Sequence, residues 1–444
     1  MARKVFISFL GSSGYKKCCY QLKDYISAPI RFIQEATLEA LGVENWDEND
    51  KGYILLTDGV KGSRNCNWEV GIENQYAPLK DQIEYKGLKP VLESHNWKFK
   101  IEEISIPDGN NEIELWEIFN RLYEVLQDDD ELYLDITHGF RYLPMLMLVL
   151  SNYSKFLKGV RVRHISYGNF EGGFENPATK IITAPIIELT SFSEMQEWTS
   201  AASDFVQYGQ TKGIESLLPK DSELGNNLHE YTTLLQTVRG GDLIKNTQVD
   251  NLRCSLDSLD SVDGPKPLSH LADRMKSTVA GYKEDSVLNG FVAVRYCIDT
   301  GLYQQGYTLL EEFIITKVME ELGVLSKYFT DKDVRNSVSG ALNVNKLESY
   351  SLEAALSPRA FEKCSKLDES DFKSINSLST LGESVFELPY FSLLRKKVFK
   401  SLSPLRNDFA HVGMNNNPNT GEKLIQQLKD KFQKTCEIFN IDLE

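Results

Sequence analysis

Short apolar runs alternate with helical spacings through the first 190 positions. Lys4 to Phe9 is dominated by β-branched and aromatic residues and predicts a first strand, which ends in Leu10-Gly-Ser-Ser-Gly-Tyr15. Ile26 to Leu41 has mostly helical spacing. Gly52 to Thr57 predicts a second buried strand, followed by a polar turn from Asp58 to Ser63, and Asn67-Trp68 predicts the opening of a helix. Phe99 to Ile106 reads as a third strand. From Asn111 to Gln127, Leu115, Ile118, Phe119, Leu122 and Val125 fall on one face of an amphipathic helix. Asp128 to Asp130 with Glu131 reads as a solvated turn. Leu132, Tyr133, Leu134 and Ile136 then form a strand that runs into Thr137-His-Gly-Phe-Arg141 and the apolar helix Tyr142 to Lys158, whose composition predicts burial on most sides. Val160 to Ser166 is a further strand with its turn at Tyr167, and Ile181 to Leu189 closes the unit. Such alternation predicts an α/β, mostly parallel, doubly wound sheet.

Beyond Ser191 the pattern becomes helical. Ser191 to Gly209, Ser286 to Leu325 and Leu388 to Leu402 carry helix periodicity, whereas Gly240 to about residue 265 is polar and rich in turn formers. The reading is α/β plus all-α: a Rossmann-like sheet domain over 1–190, a helical linker region over 191–285 with a polar loop near 240–265, and a helical domain over 286–444.

Composition narrows the function classes. The formal net charge of −15 argues against a protein that coats duplex nucleic acid, which needs a broad basic face, but leaves room for a local basic site. The seven cysteines are scattered without a C-x-x-C pair, as expected of reduced cytosolic thiols. The longest apolar run, Leu143 to Leu150, is too short to span a bilayer, so a cytoplasmic protein with no membrane association is expected.

Ligands of open α/β sheets bind outside the carboxyl ends of the strands. There the sequence places Gly11, Ser12, Ser13, Thr57, Asp58, Thr137, His138, Gly139, Arg141, Tyr167 and Gly168. These supply hydroxyl and backbone donors, a fixed cation and an aromatic ring, but neither paired carboxylates for a metal nor a nucleophile elbow. A phosphorylated nucleotide fits such a set. The Gly/Ser turn is neither a dinucleotide fingerprint nor a P-loop, and equally reads as a plain strand-to-helix turn.

The second candidate lies at Arg406-Asn-Asp-Phe-Ala-His411. Ser403-Pro404 predicts a helix start there and Gly413 its end. Asn407 and His411 are four apart and share a face, with Arg406 to one side in the first turn, where the helix dipole favours an anion. A guanidinium, an amide and an imidazole in this arrangement suit a scissile RNA phosphate. The bland reading is a surface arginine and a histidine satisfied by its neighbours.

With these residues in view, the chain resembles the CRISPR-associated ribonucleases that join a CARF sensor to a helical HEPN effector. Asp135-Ile-Thr-His-Gly-Phe-Arg141 looks like the signature after the fourth strand of a Csx-type branch. Phe32 to Ala36, Asn67-Trp68, and Asn111-Glu112 with Glu114-Leu-Trp116 are similar to it too. Arg406 to His411 looks like the HEPN motif. The resemblance implies a homodimer, with room for further assembly, that binds cyclic oligoadenylate (cyclic tetra-adenylate by preference) made in type III antiviral defence. It implies a metal-independent endoribonuclease that needs no cofactor and no stable association with the CRISPR effector complex. The pair of motifs would cut single-stranded RNA at one composite site, leaving a 2′,3′-cyclic phosphate and a 5′-OH. Two other functions stay open: a ligand-sensing regulator that cuts nothing, and a sensor that also cleaves its own ring ligand near Thr137 or His138.

Overall fold

The computed structural model describes residues 2–259, 268–344, 378–411, 413–414 and 417–443. The chain forms two compact units, Met1–Glu194 and Met195–Glu444.

The first unit is built on a mixed sheet. Its strands are β1 (Lys4–Phe9), β2 (Cys19–Leu22), β3 (Tyr25–Ile26), β4 (Lys51–Thr57), β7 (Lys100–Ile106), β8 (Glu131–Asp135), β9 (Arg161–Gly168), β10 (Phe174–Glu175) and β11 (Ile182–Glu188). The order is β3-β2-β11-β9-β8-β1-β4-β7, with β10 on β11, while β5 (Val70–Ile72) and β6 (Glu84–Lys86) form a separate ribbon. Five strands, β9-β8-β1-β4-β7, are mutually parallel, and β11 runs antiparallel to β9. Strand β1 shows why the sheet is buried on both faces. Val5, Ile7 and Phe9 pack into one core with Ile118, Leu122, Leu143 and Met147, while Phe6 and Leu10 pack into the other with Phe32, Ile54 and Leu92. From β1 the chain steps outward through β4 and β7, then returns to the opposite side through β8 and β9. The crevice between β1 and β8 is therefore the topological switch point.

The expected fold class is observed, with local differences. Only Ile33–Ala40 of the stretch 26–41 is helical, because Tyr25–Ile26 pairs with β2 and Ile30 bridges to Cys18. Asp58–Lys61 is a short helix rather than a plain turn. Asn67-Trp68 opens no helix: Asn67 has a positive φ of 58° and precedes β5. In the acidic turn Asp130 is fully buried, accepting from Arg3 at 2.6 and 2.9 Å, so that residue is an internal ion pair rather than a solvated charge. The helix Tyr142–Lys158 has the expected bounds but not the expected burial. Met145, Val149, Tyr153 and Phe156 form an exposed stripe, Phe156 at 87%.

The second unit is helical around one core. The helix Tyr303–Glu321 is buried along Tyr307, Leu310, Phe313, Ile314 and Val318 and packs with Leu288–Asp299, Lys400–Ala410 and Gly421–Phe439. Residues of 191–285 share that core: Phe205, Leu228, Tyr231, Leu252 and Met275 all contribute. The polar loop expected near 240–265 is instead helical over Gly240–Lys245 and Thr247–Ser258, since Leu243, Val249, Leu252 and Leu256 are buried; positions 260–265 lie outside the described residues. Among the described residues no helix is long and apolar enough to cross a membrane.

Candidate functional site

Two cavities open at the carboxyl ends of the parallel strands. One, of about 440 Å³, is lined by residues including Ser13, Lys16, Tyr20, Arg31, Thr137, His138, Tyr167 and Phe170. The other, of about 300 Å³, is lined by residues including Gly11, Ser12, Ser13, Thr57, Thr137, His138, Gly139 and Phe140. Tyr15 and His138 line both, their rings 4.7 Å apart and tilted by 31°. They form the partition between two halves of one crevice at the switch point. Of the expected binding residues, only Asp58 and Arg141 line neither cavity. Asp58 sits in the first turn of its short helix and Arg141 is exposed at the start of the helix Tyr142–Lys158. Tyr167 and Gly168 both lie on the strand β9 rather than in the expected turn, because they pair with Ile187 and Ile186 of β11.

The loop after β1 is held from behind. Asn67, fully buried, donates to the carbonyls of Gly11 at 2.7 Å and Ser13 at 2.8 Å, and Asn65 donates to Ser12 at 3.0 Å. Arg31 donates to the Tyr15 carbonyl at 2.5 Å, and the Tyr85 hydroxyl accepts from the Tyr15 N–H at 3.0 Å. Each of these carbonyls is thus engaged by a side-chain donor. Among the described residues, no acceptor is bonded to the N–H groups of Ser12, Ser13 or Gly14. Unpaired backbone donors on a tight loop make an anion cradle. Gly14 permits the packing, because a Cβ there would lie 2.5 Å from the Glu73 carbonyl oxygen.

On the facing strand the parallel register sets Ser8 opposite Asp135, and Ser8 donates to that carboxylate at 2.7 Å. Thr137 donates to Asp135 at 2.5 Å and accepts from the Gly168 N–H at 2.8 Å. Thr137 is therefore a tie between the ends of β8 and β9, with one lone pair left for a ligand. Burial pushes the Asp135 carboxyl upward, offset in part by Thr137 and Ser8. Burial also drives His138 down to about 4, so its imidazole is neutral at physiological pH and offers a hydrogen bond rather than a charge. The cations at the crevice are Lys16 and Arg31, which the sequence reading missed. Arg31 also pairs with Glu73 at 2.7 Å and stacks on Tyr85. Glu35, Glu39 and His95 place ligand atoms within 4.8 Å of one another but line neither cavity; His95 Nε2 lies within hydrogen-bond distance of Glu35, at 3.0 Å.

Residues 5–171 match the family described as "CRISPR system endoribonuclease Csx1, CARF domain". The front unit is a CARF domain of the Csx1 type. Residues 194–277 match the second domain of CRISPR-associated protein MJ1674. The chain is 26% identical to that protein of Methanocaldococcus jannaschii over 226 residues, which is 50% of this chain and 34% of the relative. The chain thus corresponds to about a third of that relative's length. The first match agrees with the CARF half of the resemblance, while both matched domain spans end before Arg406.

In the second unit the motif lies late in a helix rather than at its start. Phe391–Leu394, a π-wound segment Arg395–Phe399 and Lys400–Ala410 follow without a break, so Ser403 and Pro404 are interior. The expected cap is overridden because Phe391, Leu394, Val398 and Phe399 are buried and start the helix earlier. Ser403 donates to Glu311 at 2.7 Å instead. Arg406 pairs with the other oxygen of this buried carboxylate at 2.8 Å and donates to Asn407 at 3.3 Å. Asn407 and His411 are exposed on the expected shared face, and Gly413 closes the helix with φ +68° and a bond to the Asp408 carbonyl at 2.9 Å. Asp408 faces inward and accepts from Asn419, fixing the following loop.

Proposed function

We propose that the protein is a metal-independent endoribonuclease of type III CRISPR defence, switched on by cyclic oligoadenylate bound in the β1/β8 crevice. The observation that carries the nuclease reading is the side-by-side placement of Arg406, Asn407 and His411, the last two exposed on one helical face. Their chemistry suffices for RNA, which brings its own nucleophile. The 2′-oxygen forms a bond to the adjacent phosphorus as the bond to the 5′-oxygen breaks. The 2′-hydroxyl gives up a proton and the departing 5′-oxygen gains one, transfers suited to His411. Arg406 neutralises the phosphorane and Asn407 orients the pair.

For the sensor, the N–H cradle at Ser12 to Gly14, the neutral His138 and the Lys16 and Arg31 cations support binding of a phosphodiester ring whose bases stack on Tyr167 and Phe170. Residues Gly11, Ser12, Ser13, Thr57, Thr137, His138, Gly139, Tyr167 and Gly168 form the walls. The apolar stripe Met145, Val149, Tyr153 and Phe156, which begins one turn beyond Phe140 at the crevice rim, supports pairing with a second copy. A symmetric pair would present two crevices to one ring.

The test is cleavage of labelled single-stranded RNA in chelator, with and without cyclic tetra-adenylate. Products ending in 2′,3′-cyclic phosphate are expected only with the messenger, and should vanish in His411→Ala. Because His411 is exposed, that variant leaves the core intact. Unchanged messenger-dependent cutting by it would refute the assignment.

A further inference from the structure

The helix that carries the motif has an unusual charge pattern. From Leu388 to Asn407 there is no Asp or Glu in 20 positions, although the chain has 64 acidic residues in 444. The same stretch holds five cations: Arg395, Lys396, Lys397, Lys400 and Arg406. Two of them are occupied, Arg395 by the Asn343 carbonyl and Arg406 by Glu311. The three lysines are exposed, and among the described residues none has a side-chain partner.

Their register matters more than their number. In an α-helix, positions i, i+7 and i+11 return to within about 20° of one line. Lys400, Asn407 and His411 stand at that spacing, and all three are exposed. Lys400 and His411 are therefore separated by about 16 Å along one face. Lys396 and Lys397 lie one turn upstream, on the π-wound segment. In a molecule with a net charge of −15, a row of uncompensated ammonium groups leading to the motif needs a polyanion to make sense of it.

We infer that Lys396, Lys397 and Lys400 form a phosphate-tracking rail that seats the single-stranded RNA backbone beside the scissile bond. The inference rests on the nuclease reading and extends it to how substrate is held. Ammonium groups act here as point charges on mobile stems, so they tolerate any base sequence. They set affinity and not the chemical step.

The counterion-release relation makes this quantitative. Each phosphate neutralised on a single strand contributes about −0.7 to the slope of log affinity against log salt. Lys396/Lys397/Lys400→Gln should flatten that slope by about 2. Between 50 and 200 mM salt the wild-type affinity should then fall about 20-fold more than the variant's. Binding is measured by fluorescence anisotropy on the full chain with a 2′-O-methyl single strand, which has no nucleophile and stays whole. The charge-matched control is Lys212/Lys220/Lys332→Gln, three exposed lysines elsewhere in the helical unit. With natural RNA and saturating messenger, the rail variant should raise KM at least tenfold and leave kcat within twofold. A merely structural lesion would lower kcat and the melting temperature together. Wild-type slope in the rail variant, or equal flattening in the control, would overturn the rail while leaving the nuclease reading in place. A wild-type protein that neither binds nor cuts RNA would overturn both.

Discussion

Arg406→Ala should cost stability as well as activity, and the structure sets the size of the loss. Glu311 is buried, its side chain 7% exposed, with one oxygen on Ser403 at 2.7 Å and the other against Arg406 at 2.8 Å. Removing one partner of a buried ion pair costs about 3–5 kcal/mol, chiefly because the remaining charge is left uncompensated. Here Arg406 is 31% exposed and Ser403 stays in place, so the pair is partly screened. A loss of about 2 kcal/mol is expected, equivalent to about 4–8 °C for a unit of this size. The double variant Glu311→Gln/Arg406→Ala removes the stranded charge. It should recover half of the loss or more, because glutamine can still accept the Ser403 hydrogen bond. Urea unfolding of the wild type, both single variants and the double variant gives the coupling energy directly, expected to be about 1 kcal/mol. Additivity of the two substitutions to within about 0.3 kcal/mol would show that the pair stores nothing, and the argument would fall. Loss of cleavage in Arg406→Ala mixes chemistry with folding, whereas exposed His411→Ala separates them.

Further outcomes follow from the crevice. Gly14→Ala drives a Cβ into the Glu73 and Ile72 carbonyls, at 2.5 and 2.7 Å, so the loop must shift. Calorimetry should show messenger affinity at least tenfold weaker, and wild-type affinity would place the phosphates elsewhere. Asn67→Ala strands the Gly11 and Ser13 carbonyls and the Tyr85 hydroxyl, costing about 2–4 kcal/mol in urea unfolding, with RNA cleavage rescued only at raised messenger concentration. The folded-state affinity of His138 for protons is depressed, to about 4 from an ordinary 6.5, so below pH 6.5 the unfolded chain takes up a proton that the folded chain refuses. Stability should therefore fall as pH drops from 6.5 toward 4. Because part of the ring faces the cavity, wild type should lose only about 1–2 kcal/mol more than His138→Asn between pH 7 and 5; equal losses would show the ring to be solvated.

How much of this was legible in the sequence depended on whether the cause was local. The strands at Lys4, Lys51 and Glu131 follow from short apolar runs buried on both faces, and the helix Glu112–Val125 from apolar periodicity, since the face that repeats is the face that is buried. The strands Cys19–Leu22, Tyr25–Ile26 and Phe174–Glu175 were missed because they are two to four residues long and exist only through their partners. Thr137 and His138 could be found because a strand end places them. Arg31 could not, since its role comes from Glu73 and Tyr85, far away in sequence. Ser403-Pro404 is the instructive failure. Its local signal for a helix start is genuine, yet buried Phe391 to Phe399 extends the helix backward and leaves the Ser403 hydroxyl for Glu311. The same override changes what Arg406 is. At a helix start it would have been a free cation beside amide dipoles that favour an anion. Inside the helix it is a cation already held by a buried acid, so on the proposed nuclease reading a substrate phosphate would compete with, or share, the charge that Glu311 engages. On the proposed nuclease reading, the three lysines upstream, which have no side-chain partner among the described residues, become the stronger source of substrate attraction, and Arg406 acts where its aim, rather than its net charge, counts.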